Sequence, residues 1–136
     1  MRYLLDTNSF IAAMKDVDVV RERLERTRLT DLVLSPVGLG ELELGVEKSA
    51  HREKNAARLA RLVEMLELVP LDAQVSRRYA EIRAQLERGG TPIGANDLWI
   101  AAHGLALGAV VVTDNVAEFC RVPGLRTENW LRPDRG

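Results

Sequence analysis

The chain has 136 residues, a length that one domain accounts for and that can bury a working core without disulfide or metal staples. Apolar residues make up 46% and charged residues 29%, which excludes a disordered chain, and 19 basic against 20 acidic residues leave a net charge of −1, which excludes a polybasic arm or an acidic tail as the basis of function. One cysteine (Cys120) cannot form an internal disulfide, and with only His51 and His103 beside it the usual zinc ligand sets are out of reach.

The opening Met1-Arg2-Tyr3 has none of the character of a secretory signal, and no apolar run approaches the ~18–20 residues of a membrane span. A reducing, cytoplasmic setting is the expectation. Arg2-Tyr3-Leu4-Leu5 is a short apolar run that stops at Asp6-Thr7-Asn8-Ser9, a set of helix-capping residues. It predicts a buried strand followed at once by a helix. Val17, Val20 and Leu24 recur at helical spacing among charges, and Leu32-Val33-Leu34-Ser35 predicts a second strand, with Pro36 suited to the first turn of the next helix. Gly45, Ser49 and His51 mark a break. Leu59, Leu62, Val63 and Leu66 then fit one helix face, while His51, Lys54, Arg58 and Arg61 form a basic stripe on it.

Leu68-Val69-Pro70-Leu71 is extended, since Pro70 forbids helix continuation. Val75, Tyr79, Ile82 and Leu86 predict another helix, closed by Gly89-Gly90 and Pro92. Leu98 to Leu107 is apolar nearly all round, which predicts a buried helix, ended by Gly108. Ala109-Val110-Val111-Val112 follows as a strand of parallel-sheet type, running into Thr113-Asp114-Asn115. Strands that alternate with helices, each strand a continuous apolar run, give an α/β domain with a parallel sheet.

Ligands of open α/β sheets bind beyond the carboxyl ends of the strands, and two strands here end in acids, at Asp6 and Asp114. Asp97 opens the all-apolar helix, and Glu41 and Glu43 lie in the helix after the second strand. Each acid has a plain structural reading. Asp6 or Asn8 caps a helix, Asp97 complements a helix dipole, and Asp114-Asn115 makes a turn. Periodicity does not choose between Glu41 and Glu43. Taken together, acids brought to one pocket repel and raise one another's pKa, a conflict that a divalent cation resolves. All-oxygen ligands favour Mg²⁺ or Mn²⁺, and such a site suits phosphodiester hydrolysis.

The stretches that carry these acids are Leu4-Leu5-Asp6-Thr7-Asn8, Gly40-Glu41-Leu42-Glu43-Leu44-Gly45-Val46-Glu47-Lys48-Ser49, Gly94-Ala95-Asn96-Asp97-Leu98-Trp99-Ile100-Ala101-Ala102-His103 and Val112-Thr113-Asp114-Asn115-Val116-Ala117-Glu118-Phe119, with Glu128-Asn129-Trp130 near the end. In order and spacing they resemble the PIN-domain ribonucleases and, within them, the VapC toxins of toxin–antitoxin pairs. The resemblance implies a PIN-like three-layer α/β/α domain with a short, mainly parallel sheet over residues 1–136, with 131–136 a polar tail. It implies a Mg²⁺- or Mn²⁺-dependent endoribonuclease that cuts structured RNA, transfer RNA ahead of ribosomal RNA, and so stops translation.

Asp6 and Asp97 match the family's principal Mg²⁺ ligands, and Glu41, not Glu43, matches its second acid. The fourth acidic position falls on Asn115, a neutral residue whose missing charge Asp114 or Glu118 would supply. Thr113 would place a hydroxyl near the phosphate, with Thr7 and Asn8 positioning substrate. The implied partners are a VapB-type antitoxin, an RNA substrate and a second copy of the chain as a homodimer, with DNA reached only through the antitoxin.

Residues 48–61 hold Lys48, Arg52, Lys54, Arg58 and Arg61 against Glu53, a stripe that would follow an RNA backbone or simply meet solvent. His103 reads as a core histidine with its ring satisfied, and Cys120 as a small buried or half-buried hydrophobe. Phosphatases of the dehalogenase type need a second Asp where Asn8 stands, and receiver domains need an acidic pair that Asp6-Thr7 does not supply. The remaining rival is a PIN fold that binds RNA or antitoxin without cutting, which the neutral Asn115 brings into view.

Overall fold

A computed structural model describes residues 1–133. The elements are β1 (Tyr3–Leu5), α1 (Thr7–Met14), α2 (Asp18–Glu25), β2 (Leu32–Leu34), α3 (Pro36–Glu47), α4 (Arg52–Glu64), β3 (Glu67–Leu68), α5 (Ala73–Arg88), α6 (Ala95–Leu107), β4 (Val110–Val112), α7 (Val116–Phe119) and β5 (Thr127–Glu128), with a 3-10 turn over Leu29–Asp31. The strands form one five-stranded sheet in the order β3-β2-β1-β4-β5, every pair parallel.

Two helices start where the sequence puts their capping residues. The Asp6 carboxylate accepts from the Ser9 N–H at 2.9 Å to cap α1, and the Ser35 hydroxyl accepts from the Val37 N–H at 3.2 Å above Pro36 to cap α3. Helix α6 ends at Gly108, whose φ of +64° is the left-handed turn that glycine takes without strain.

Side chains alternate across the pleat, so the sheet divides the interior in two. Leu4, Val33 and Val111 face α5 and α6, where Val75, Ile82, Leu86, Leu98, Ile100, Ala101 and Phe119 complete one core. Leu5, Leu32, Leu34 and Val112 face the other way, into a core with Phe10, Ala12, Val20, Leu42 and Leu59. This is the expected α/β/α arrangement. Each fully buried Val, Leu, Ile or Phe in it contributes about 1.5–3 kcal/mol. Helix α6 comes so close to β4 that a Cβ on Gly104 would stand 2.7 Å from the Val111 Cγ2 and 3.3 Å from the Leu125 Cδ1.

Two expectations change on contact with the structure. Cys120 is exposed rather than buried, its Sγ against the Ala117 carbonyl, because it closes the short α7 on the solvent side. His103 is a core residue, fully buried, yet neither ring nitrogen has a hydrogen-bond partner among the described residues, and burial lowers its pKa. The stretch after β4 holds a short helix and a further strand, α7 and β5.

Of the polar tail over 131–136, residues 134–136 lie outside the described residues. Leu131 packs against the second core, and Trp130 is buried beside it with its ring 5.4 Å from that of Tyr3 and the Arg23 guanidinium 5.0 Å above it. No described helix is long and apolar enough to cross a membrane.

Candidate metal centre

The chain runs β1, β2, β3 outward to one edge and then returns across β1 to lay down β4 and β5 on its other side. The reversal falls between β1 and β4, and crevices at such switch points, beyond the strands' carboxyl ends, are where α/β sheets take ligands. The Asp6 N–H donates to the Val112 carbonyl at 3.0 Å, so the β1–β4 ladder continues one residue into the site. Asp6 is nearly buried there. Its capping bond to Ser9 occupies one carboxylate oxygen, so the helix-capping reading and the functional one hold together. The buried Ser9 hydroxyl has no partner among the described residues.

Glu41, half-buried on α3, is brought to the same place: its Oε1 accepts from the Thr7 hydroxyl at 2.9 Å. Glu43 is exposed on a different side of α3, in a groove against α4, which separates the two acids that periodicity left open. Asp97 sits in the first turn of α6, half-buried. Its carboxyl is pushed up to about 6, chiefly by burial, then by the neighbouring Glu118 carboxylate, with Asp6 and Glu41 adding to the repulsion.

Glu118, on α7, moves the other way. The Gly94 N–H donates to it at 2.5 Å and holds its carboxyl below the usual range, and the Asn115 amide, also at 2.5 Å, works in the same direction. The two carboxyls are thus pushed in opposite directions, Asp97 up and Glu118 down, so that as pH falls a proton goes to Asp97 first.

Asn115 stands in this group, its Nδ2 also 3.4 Å from the Asp97 Oδ2. The two residues before it do not present themselves to the acids. Thr113 is fully buried, and its Oγ1 accepts from the Asn115 N–H at 2.9 Å. The hydroxyl expected near a phosphate thus also shapes the turn. Asp114 is pulled away toward the C-terminal segment: its Oδ1 accepts from the Asn129 amide at 2.8 Å and pairs with the Arg132 Nε at 3.6 Å. Its carboxylate is not among those that push on Asp97. Asn8 is exposed on the first turn of α1.

Asn129, to which the Glu128-Asn129-Trp130 stretch assigns no role, is buried, and its Oδ1 also accepts from the N–H groups of Leu131 and Arg132. Its position directly past the end of a strand too short to recognise was the available signal.

Four carboxylates, those of Asp6, Glu41, Asp97 and Glu118, thus crowd one end of the sheet with no cationic side chain bonded to Asp6, Glu41 or Asp97 among the described residues. Their all-oxygen donor set and unrelieved repulsion suit a hard divalent cation. The group is open rather than preformed: among the described residues no three acidic, histidine or cysteine side chains converge into a ready-made coordination shell.

The PIN domain family model matches residues 3–125. Ribonuclease VapC2 of Rickettsia felis is 39% identical over 132 residues, covering 96% of this chain and 98% of that one. The tRNA(fMet)-specific endonuclease VapC of Salmonella typhimurium is 39% identical over 131 residues, again covering 96% and 98%. Among solved structures, VapBC from Salmonella typhimurium bound to DNA matches with a TM-score of 0.90 at 39% identity, over 96% of this chain and 98% of that one. VapBC2 from Rickettsia felis bound to a promoter DNA fragment matches with a TM-score of 0.88 at 39% identity, over 96% and 99%. PIN-domain nucleases in general use divalent metal ions. The chain belongs to the PIN-domain family, among its VapC ribonucleases.

Proposed function

We propose that the protein is a divalent-metal-dependent endoribonuclease, the toxin of a toxin–antitoxin pair, which cuts structured RNA and so inhibits translation. The observation that carries this reading is the gathering of the Asp6, Glu41, Asp97 and Glu118 carboxylates at one end of the sheet, with no cationic side chain bonded to Asp6, Glu41 or Asp97 among the described residues. Asp6, Glu41 and Asp97 hold the ion, Mg²⁺ or Mn²⁺, and Glu118 supplies the charge that the neutral Asn115 lacks. Asp114 is the weaker candidate for that role, since Asn129 and Arg132 engage it. When bound, the ion neutralises the scissile phosphate and acidifies an attacking water. Thr7 orients Glu41 through its hydroxyl, and the Gly94 N–H holds Glu118 ionised.

Transfer RNA is the favoured substrate, supported by the name of the Salmonella relative. Lys54 and Arg61 project from the exposed side of α4 and suit an RNA backbone, although Arg52 pairs with Glu47 and Arg58 donates to the Met14 carbonyl. A groove lined by Ile11, Met14, Leu42, Val46 and Leu59 opens beside Glu41. It suits the apolar tail of a VapB-type antitoxin, whose inserted cation would block the acids. The solved VapBC complexes support such a partner. The protein works in the cytoplasm as a homodimer within that complex, and DNA is contacted through the antitoxin, this chain having neither a basic arm nor an excess of positive charge.

The test is total RNA incubated with Mg²⁺ or EDTA, with Asp6→Asn in parallel. Asn keeps the capping oxygen for Ser9, so the variant melts within a few degrees of the parent, while cleavage falls by a factor of about 10³ or more. Intact RNA from folded, antitoxin-free protein would instead favour a PIN fold that binds RNA or antitoxin without cutting, the reading to which the neutral Asn115 lends weight.

A further inference from the structure

Asn115 offers its amide nitrogen, not its oxygen, to the acids. The Nδ2 lies 2.5 Å from the Glu118 Oε2 and 3.4 Å from the Asp97 Oδ2. A side-chain amide has a donor end and an acceptor end. The chemistry fixes which end is inward, because a carbonyl oxygen in that position would face two carboxylate oxygens with no hydrogen between them.

The backbone of Asn115 is held independently of this contact. Its N–H donates to the Thr113 Oγ1 at 2.9 Å, and its carbonyl accepts from the N–H groups of Phe119 at 3.2 Å and Glu118 at 3.3 Å. The residue is exposed, so packing does not lock the amide plane. A half-turn about the last side-chain bond therefore exchanges nitrogen for oxygen and leaves α7 in place.

We propose that Asn115 is a two-position residue: its NH₂ bridges Asp97 and Glu118 in the metal-free protein, and its amide turns over to present the oxygen when a divalent ion enters. The inference rests on the metal reading above and goes beyond it. An aspartate at 115 would have no hydrogen to donate, so the metal-free acids would repel more and the ion would gain a charged neighbour. Asparagine at this position therefore keeps the empty site intact and weakens the grip on the ion. The open donor set fits this state, since the amide occupies the space between two of the acids.

The experiment uses the full chain without RNA: wild type and Asn115→Asp, each melted in EDTA and titrated with Mg²⁺ and Mn²⁺ by calorimetry, plus the side-chain NH₂ resonances of wild type followed by NMR as Mg²⁺ is added. The expected result is an Asn115→Asp midpoint in EDTA lower by about 3–8 °C, ion binding at least ~10-fold tighter in the variant, and Asn115 NH₂ signals that shift on Mg²⁺ addition while those of Asn55 stay put. Wild type that binds Mg²⁺ with its Asn115 NH₂ signals unmoved overturns the inference and leaves the metal reading standing, whether or not the variant folds. An Asn115→Asp protein that binds the ion no tighter overturns it likewise. Wild type that binds neither Mg²⁺ nor Mn²⁺ overturns both.

Discussion

Strands β1 and β4 lie side by side and both run into polar residues, but they supply the site in different ways. β1 delivers its acid in the first residue past the strand, with Asp6 at once the cap of α1 and a wall of the site. β4 passes through a turn first: Thr113 is buried as an internal hydrogen-bond acceptor, Asp114 is drawn off by Asn129, and Asn115 and Glu118 face the other acids from the beginning of α7. A carboxylate at the end of a strand is thus no guide to function by itself. The turn that follows decides which side chain is aimed inward.

The largest expected effect that separates the two exits is on activity. Glu118→Gln keeps the hydrogen bond from Gly94 but removes a charge, and cleavage should fall about 100-fold. Asp114→Asn should leave cleavage within about threefold and lower stability by about 0.5–1.5 kcal/mol through the weakened Asn129 contact. Initial rates on RNA and denaturant melts of both variants check this. Equal losses of activity would mean that Asp114 belongs to the site after all.

Next in size is the seat of β4 itself. Gly104→Ala forces a methyl against Val111, a short β-branched side chain with little room to yield, and should cost about 1–3 kcal/mol in a urea melt. The same substitution at Gly40, where a Cβ would meet nothing within 4 Å, should be close to neutral or slightly stabilising by virtue of helix propensity.

The smallest effect is on pH dependence. Asp97 has a folded pKa of about 6 against an ordinary value of 3.8, so the folded form holds its proton more tightly. The repulsion is fully present above pH 6 and is relieved as pH falls through 6 toward 4. His103 runs the opposite way: with its folded pKa lowered by burial, its contribution is complete above 6.5 and is lost as pH falls below that. Asp97→Asn isolates the first slope. In EDTA at pH 8 the variant should melt a few degrees above wild type, and the gap should close by about pH 5. A constant gap would place the stabilisation elsewhere than in charge.

Much of this molecule is legible in its sequence wherever one local cause dominates. The capping residues after β1, the Ser35-Pro36 start of α3 and the all-apolar α6 each follow from a single pattern, and α6 alone places Asp97 in the first turn of a buried helix. β5 was missed because two half-buried residues, Thr127 and Glu128, carry no strand pattern, and their pairing depends on the edge that β4 offers. The partners of Thr113 and Asp114, the N–H of Asn115 and the amide of the distant Asn129, are not legible because turn geometry sets them. Glu41 is chosen over Glu43 through the resemblance alone, since the rotation of α3 that brings Glu41 to Thr7 is revealed by no periodicity within α3.

The acids that meet at one end of the sheet are Asp6, Glu41, Asp97 and Glu118, drawn from nearly the full length of the chain and from elements of both cores. Domains are completed during synthesis as units, from the first residues onward. A ribosome that has released even the first hundred residues has exposed three of these side chains and not the fourth. It has also not yet produced β4, against which β1 holds Asp6 in place. A product of translation that stops short of α7 lacks Glu118, so the cell that makes this chain meets the full set of acids only after β4 and α7 have been laid down.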